Sequence, residues 1–137
     1  MKMRNSQSGI SLVEILVAIT ILVFATSAII QFYLSSLNLS ETNKEGTVAM
    51  AHVINMMEVI KCTPFSNIIV NFPNGVSDGP PANRYATLVG GYVLKEEHIL
   101  VSYVNTTSDP LEIMINASWQ DKKGVNRAKY LVTKRTR

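Results

Sequence analysis

The sequence predicts an α+β protein, a long N-terminal helix packed on a small antiparallel β-sheet, from three observations. Ile15 to Leu34 is a run of 20 residues without a charged side chain. As a helix it covers roughly 30 Å, the thickness of a bilayer's hydrocarbon core. Met50, Val53, Ile54, Met57 and Ile60 then recur at helical i, i+3, i+4 and i+7 spacing, which marks a helix with one apolar face. Leu111, Ile113, Ile115, Ala117 and Trp119 alternate with Glu112, Asn116 and Ser118, Met114 being the exception, which is the period of a strand buried on one side. A sheet with one apolar face needs a cover, and the helical stripe supplies it.

Taken in order, residues 1–9 are polar and basic, lack helical periodicity and read as a leader peptide. Residues 10–34 form the membrane half of the helix. Lys2 and Arg4 precede the apolar run, and the nearest charges beyond it are Glu41 and Lys44. Basic flanks stay in the cytoplasm, so the expected topology is a single pass with the N-terminus inside and residues after about Leu37 outside. The polar members Thr20, Thr26, Ser27 and Gln31 can bond back to their own helix or across to a neighbour. No proline interrupts the segment, so no proline kink is expected.

Residues 35–137 comprise the amphipathic half of the helix and the sheet domain. Leu34, Leu37, Val48 and Ala51 extend the apolar stripe, with Ala49, His52 and Asn55 off it. Gly46 costs about 1 kcal/mol relative to alanine in a helix interior. Pro64 disfavours helical geometry before it and ends the helix near Lys61 to Thr63. Phe72-Pro73-Asn74-Gly75 and Ser77 to Pro81 are turn formers, with Ile68 to Val70 between helix and turns as a short strand. Tyr85 to Leu94, broken by Gly90-Gly91, reads as a kinked strand or a hairpin, and Ile99 to Val104 as another strand. Asp109-Pro110 turns the chain into the alternating strand. Asp121 to Gly124 is a hairpin turn and Ala128 to Thr133 the returning strand.

Glu14 is the feature that plain anchoring does not explain. A carboxylate in hydrocarbon costs a few kcal/mol, so an acid inside an otherwise apolar span points to function. An ordinary secretory signal with Ala25-Thr26-Ser27 as its cleavage site is disfavoured by Glu14 and by an apolar run that continues to Leu34. No catalytic constellation, cofactor motif or metal site is expected. His52 and His98 have no second ligand at helical or strand spacing, and Cys62, the single cysteine, excludes an intramolecular disulfide and is expected to pack at the helix end. Trp119 is expected in the core. Lys134 to Arg137 reads as a solvated basic tail. The chain carries 13 basic and 10 acidic residues, but Lys2 and Arg4 lie in the leader, so the chain from Ile10 has a net charge of +1 and nucleic acid is not expected as a partner.

The leader, Gly9, Ile10, Glu14 and the apolar run together resemble the class III signal of type IV pilins and the related pseudopilins. Ile10 departs from the phenylalanine or methionine usual at the first mature position. The resemblance implies that prepilin peptidase cuts between Gly9 and Ile10 and N-methylates Ile10. Glycine, lacking a Cβ, leaves the backbone open to the protease. It further implies that Glu14 pairs with the α-amino group of an adjacent subunit. In low dielectric such a pair relieves two otherwise uncompensated charges and so sets register. Ser118-Trp119-Gln120-Asp121, Gly124, Arg127 and Leu131-Val132-Thr133 look like the closing hairpin of PilV-type minor pilins. The I-type minor pseudopilin of type II secretion has a similar helix and size. The resemblance thus implies a non-enzymatic minor pilin. It would contact other major and minor pilins through the N-terminal helix, sit first in the inner membrane, and then move to the pilus, periplasm or cell surface. The alternatives are a minor pseudopilin or a signal-anchored extracytoplasmic binding module.

Overall fold

The computed structural model describes residues 11–137. Helix α1 runs from Leu12 to Cys62 and passes through two compact units, one ending at Ser40 and one of Glu41–Arg137. In the second unit α1 is followed by a 3-10 turn at Phe65–Asn67, the short helices α2 (Ile68–Asn71) and α3 (Tyr85–Val89), and the strands β1 (His98–Tyr103), β2 (Leu111–Gln120) and β3 (Asn126–Arg135). The strands form one antiparallel sheet in the order β1-β2-β3, with Val101 opposite Ile115 and Ile113 opposite Thr133.

The alternation in β2 works as expected. Leu111, Ile113, Ile115, Ala117 and Trp119 are all buried and face Val53, Met56, Met57 and Ile60 of α1, with Ile99, Val101 and Tyr103 of β1 completing the layer. Ile68, Phe72 and Tyr85 close one end of this core, the rings of Phe72 and Tyr85 tilted at 42° with centroids 6.0 Å apart. Offset arrangements of this kind suit the ring quadrupoles. Gly79 permits the approach: its φ is +74°, and a Cβ there would stand 2.6 Å from the Tyr85 ring.

Several expectations need correction. Ile68 to Val70 is helical, not a strand; the Phe72 N–H bonds the Ile68 carbonyl, and only Ile68 is buried while Val70 is exposed. One inward anchor per turn is a helical pattern, which a three-residue apolar run cannot distinguish from a strand. Tyr85 to Leu94 is likewise not a strand or hairpin. Tyr85–Val89 is a helical turn, and Gly90 and Gly91, both at positive φ, stop it, the Gly90 N–H bonding the Ala86 carbonyl. The buried stripe of α1 is rotated from the expected one: Ala49 and His52 face the core, whereas Ile54 and Ala51 are exposed and Met50 half-buried. Small Ala49 allows close packing, and His52 has a polar partner inside. Leu34 and Leu37 are exposed. Cys62 ends α1 as expected, but its side chain is exposed.

The basic tail is part of the fold. Arg135 Nη1 donates to the Ile60 carbonyl at 2.6 Å, and the Arg137 guanidinium lies 5.6 Å from the centre of the Phe65 ring. A cation on the last carbonyls of α1 serves the orphan acceptors and the negative end of the helix dipole. The β2–β3 turn is held by Asp121, whose buried carboxylate accepts the N–H groups of Lys123 and Val125 at 2.9 Å and Arg127 Nε at 3.0 Å. These bonds, the one from Val125 first, hold its carboxyl below the usual carboxylate range.

The rotated stripe is testable by substitution. Ile60→Ala should lower stability by about 2–5 kcal/mol, as expected for a cavity at a fully buried site, whereas Ile54→Ala should cost less than about 1 kcal/mol. Urea unfolding of the detergent-solubilised chain, followed by Trp119 fluorescence, measures both.

Candidate functional site

From Leu12 to Ser40 the side chains of α1 all face outward. α1 starts after Ser11, whose carbonyl accepts the N–H groups of Glu14 at 3.0 Å and Ile15 at 3.2 Å. Every residue from Ser11 to Ser40 is exposed, including Leu12, Phe24, Ile29 and Phe32. Among the described residues α1 is the helix long and apolar enough to cross a membrane. Apolar surface on this scale, on all sides of a helix, calls for lipid or other helices around it. The hydroxyls are compatible with such surroundings because they are bonded within the helix. Thr20 donates to the Leu16 carbonyl at 2.8 Å, Thr26 to that of Leu22 at 2.9 Å and Ser27 to that of Val23 at 2.8 Å.

Glu14 is the only charged side chain from Leu12 to Leu34. It sits in the first turn of α1, where the positive end of the helix dipole and the unbonded N–H groups favour an anion. The expected cleavage pair Gly9 and Ile10 lies outside the described residues.

The two histidines acquire partners that sequence spacing did not indicate. His52 Nδ1 lies 2.6 Å from Glu97 Oε1, with both side chains buried, and Glu97 Oε2 accepts the Leu94 N–H at 2.8 Å. Burial of the pair is tolerable because each group has a defined partner, and the carboxylate also closes the 94–97 turn onto α1. His98 Nδ1 lies 2.7 Å from Asp78 Oδ2, while Asp78 Oδ1 accepts the Ile99 N–H at 2.9 Å. The partners stand 45 and 20 residues away, and the apolar spacing leaves His52 off the stripe, so no local signal in the sequence pointed to either. Trp119 is buried in the core. Among the described residues, no three His, Cys, Asp or Glu side chains gather as a metal site would require.

The comparisons bear on the N-terminal segment. The family model of the prokaryotic N-terminal methylation motif matches residues 4–30, a stretch that includes Gly9, Ile10, Glu14 and most of the apolar run. Searches of curated proteins and of solved structures return no match. The chain therefore carries a pilin-like, class III type of N-terminal signal.

The His98–Asp78 contact sets a pH dependence. The hydrogen bond to Asp78, reinforced by its charge, raises the His98 pKa above its ordinary value of 6.5. The folded state thus holds a proton more tightly than the unfolded one. The contact's stabilisation is complete below about pH 6.5 and fades as pH rises through the folded-state value. Urea midpoints measured at about pH 6 and pH 8 should fall more for the native chain than for His98→Gln. Equal falls would separate the contact from stability.

Proposed function

We propose that the chain is a minor pilin of the PilV type, processed by prepilin peptidase and built into a type IV pilus, where it primes assembly or sits near the tip. The observation that carries this reading is the methylation motif matched over residues 4–30, with Glu14 in the first turn of an exposed apolar helix. Lys2 and Arg4 hold the N-terminus in the cytoplasm, and the span crosses the inner membrane once. Cleavage after Gly9 leaves Ile10 with an α-amino group, which N-methylation keeps basic.

In lipid, and then in a helical array, Glu14 and the amine of a neighbouring subunit attract strongly because little dielectric separates them. A subunit out of register leaves both charges uncompensated, so the pair acts as a registration device. The surrounding apolar side chains provide non-directional contact, and the sheet domain stays outside the array. The protein acts by assembly and catalyses no reaction in this reading. A minor pseudopilin of type II secretion would use the same N-terminal chemistry. The closing hairpin, with Trp119 in the core and Asp121 and Arg127 paired, favours the pilus.

Intact-mass and N-terminal mass spectrometry of the chain from its native membrane should find it beginning at N-methyl-Ile10. A start at Met1 or near Ala28 would sink the proposal in favour of a signal anchor or a secretory signal. Glu14→Val should insert and be cleaved normally yet fail to enter pili, giving at least a tenfold drop in sheared-pilus fractions, roughly what the loss of one buried charge pair predicts. Undiminished incorporation would remove the charge-pair argument.

A further inference from the structure

The two edges of the sheet are treated differently. The outer edge of β1 is occupied by the segment from Asn74 to Asp78. The N–H groups of Gly75 and Asp78 bond the carbonyls of Val101 and Ile99, and the side chains of Asn74 and Asp78 accept the N–H groups of Tyr103 and Ile99. β3, ten residues long, is the opposite edge and pairs only with β2 among the described residues. An open edge of this length is a template for another strand unless something blocks it.

Beside the first half of β3 lies a groove of about 890 Å³, within the size range of ligand sites. Gly46, Met50 and Ile54 of α1 form one wall, Arg127 and Lys129 the other, and Trp119 lines it too. Gly46 presents no side chain, and Lys129 Cε comes within 3.8 Å of where a Cβ would stand. Thr42, Asn43 and Thr47 line the α1 side as well, so the groove has a mixed wall of small, apolar and polar side chains facing a basic one. Two cations and no carboxylate line it. Arg127 is already held through Nε by Asp121, while Lys129 is exposed and has no ion-pair partner among the described residues.

We propose that this groove receives an extended acidic segment of another protein, which adds as a fourth strand to the free edge of β3. Strand addition draws its affinity from main-chain hydrogen bonds and its specificity from pockets for alternate side chains. Arg127 and Lys129 stand opposite Trp119 and Ala117 in the ladder and so point to the α1 side of the sheet, where the carboxylates on that face of the incoming strand meet them beside Met50 and Ile54. The same basic residues disfavour a second copy of β3, because like charges face each other across such a pairing. A nucleic acid strand fits poorly, since Trp119 is 97% covered and offers no open ring face for a base. This site is independent of how the N-terminal segment is used.

The test uses the full chain in detergent micelles and a capped heptapeptide of alternating glutamate and valine. Trp119 is the single tryptophan and lines the groove, so its emission reports occupancy. The acidic peptide should give a saturable change, and a lysine–valine peptide none. Lys129→Glu should weaken binding by about tenfold or more and Lys129→Ala by less, whereas Lys122→Glu, on the hairpin turn outside the groove, should change it by less than about twofold. Far-UV circular dichroism checks that each variant folds. A peptide N-methylated at every residue has no N–H to donate on either side, cannot pair along an edge and should not bind. No saturable change up to about millimolar peptide, equal losses from Lys129→Glu and Lys122→Glu, or undiminished binding of the N-methylated peptide would each overturn the proposal. So would stronger binding of a single-stranded oligonucleotide.

Discussion

A single helix that must satisfy two different surroundings constrains everything else in this chain. Up to Ser40 all side chains of α1 are exposed and most are apolar; from Ala49 to Ile60 only one face is buried, against a sheet. The first requirement favours apolar residues on every side and hydroxyls bonded to the helix's own carbonyls, as Thr20, Thr26 and Ser27 are. The second favours a stripe, with polar residues elsewhere. Glu14 satisfies neither requirement by itself. Its position in the first turn moderates the cost, and a charged neighbour would remove it.

The second unit gives several of its buried polar groups a close partner. His52 has Glu97, Asp121 has two backbone N–H groups and Arg127, and the Ile60 carbonyl has Arg135. The His52 and Arg135 contacts link segments distant in sequence and fasten a loop and a strand end onto the helix, whereas Asp121 closes its own hairpin turn. Turn-rich stretches that look like mere connection have structural duties as well: Asn74 to Asp78 covers one sheet edge, and the 94–97 turn rests on the helix through Glu97.

Long periodic signals were legible in the sequence. α1 and β2 arise from patterns sustained over many residues, the Asp121–Gly124 turn from its local residue types, and Glu14 stood out because its chemistry contradicts its surroundings. Ile68 to Val70 and Tyr85 to Val89 were misread because short apolar runs satisfy a strand or a helical turn equally well. The orientation of α1 was misjudged because apolar spacing alone leaves out His52, whose place in the core depends on a carboxylate 45 residues away. The groove beside β3 was invisible for a related reason, since its walls come from residues 42–54 and 126–129. Gly9 and Ile10 lie outside the described residues, so that part of the candidate site rests on the sequence motif.

The bond from Arg135 to the Ile60 carbonyl spans 75 residues and bears on how the protein is made. A chain synthesised from its N-terminus completes α1 well before β2 and β3 exist. Until those strands arrive, Val53, Met56, Met57 and Ile60 have no sheet to cover them, and the end of the helix lacks its cation. Long-range closure of this kind is slow compared with helix formation. The nascent protein therefore passes through an interval in which the helix is formed and its inner face is bare, and release from that state depends on the arrival of β1, β2 and Arg135.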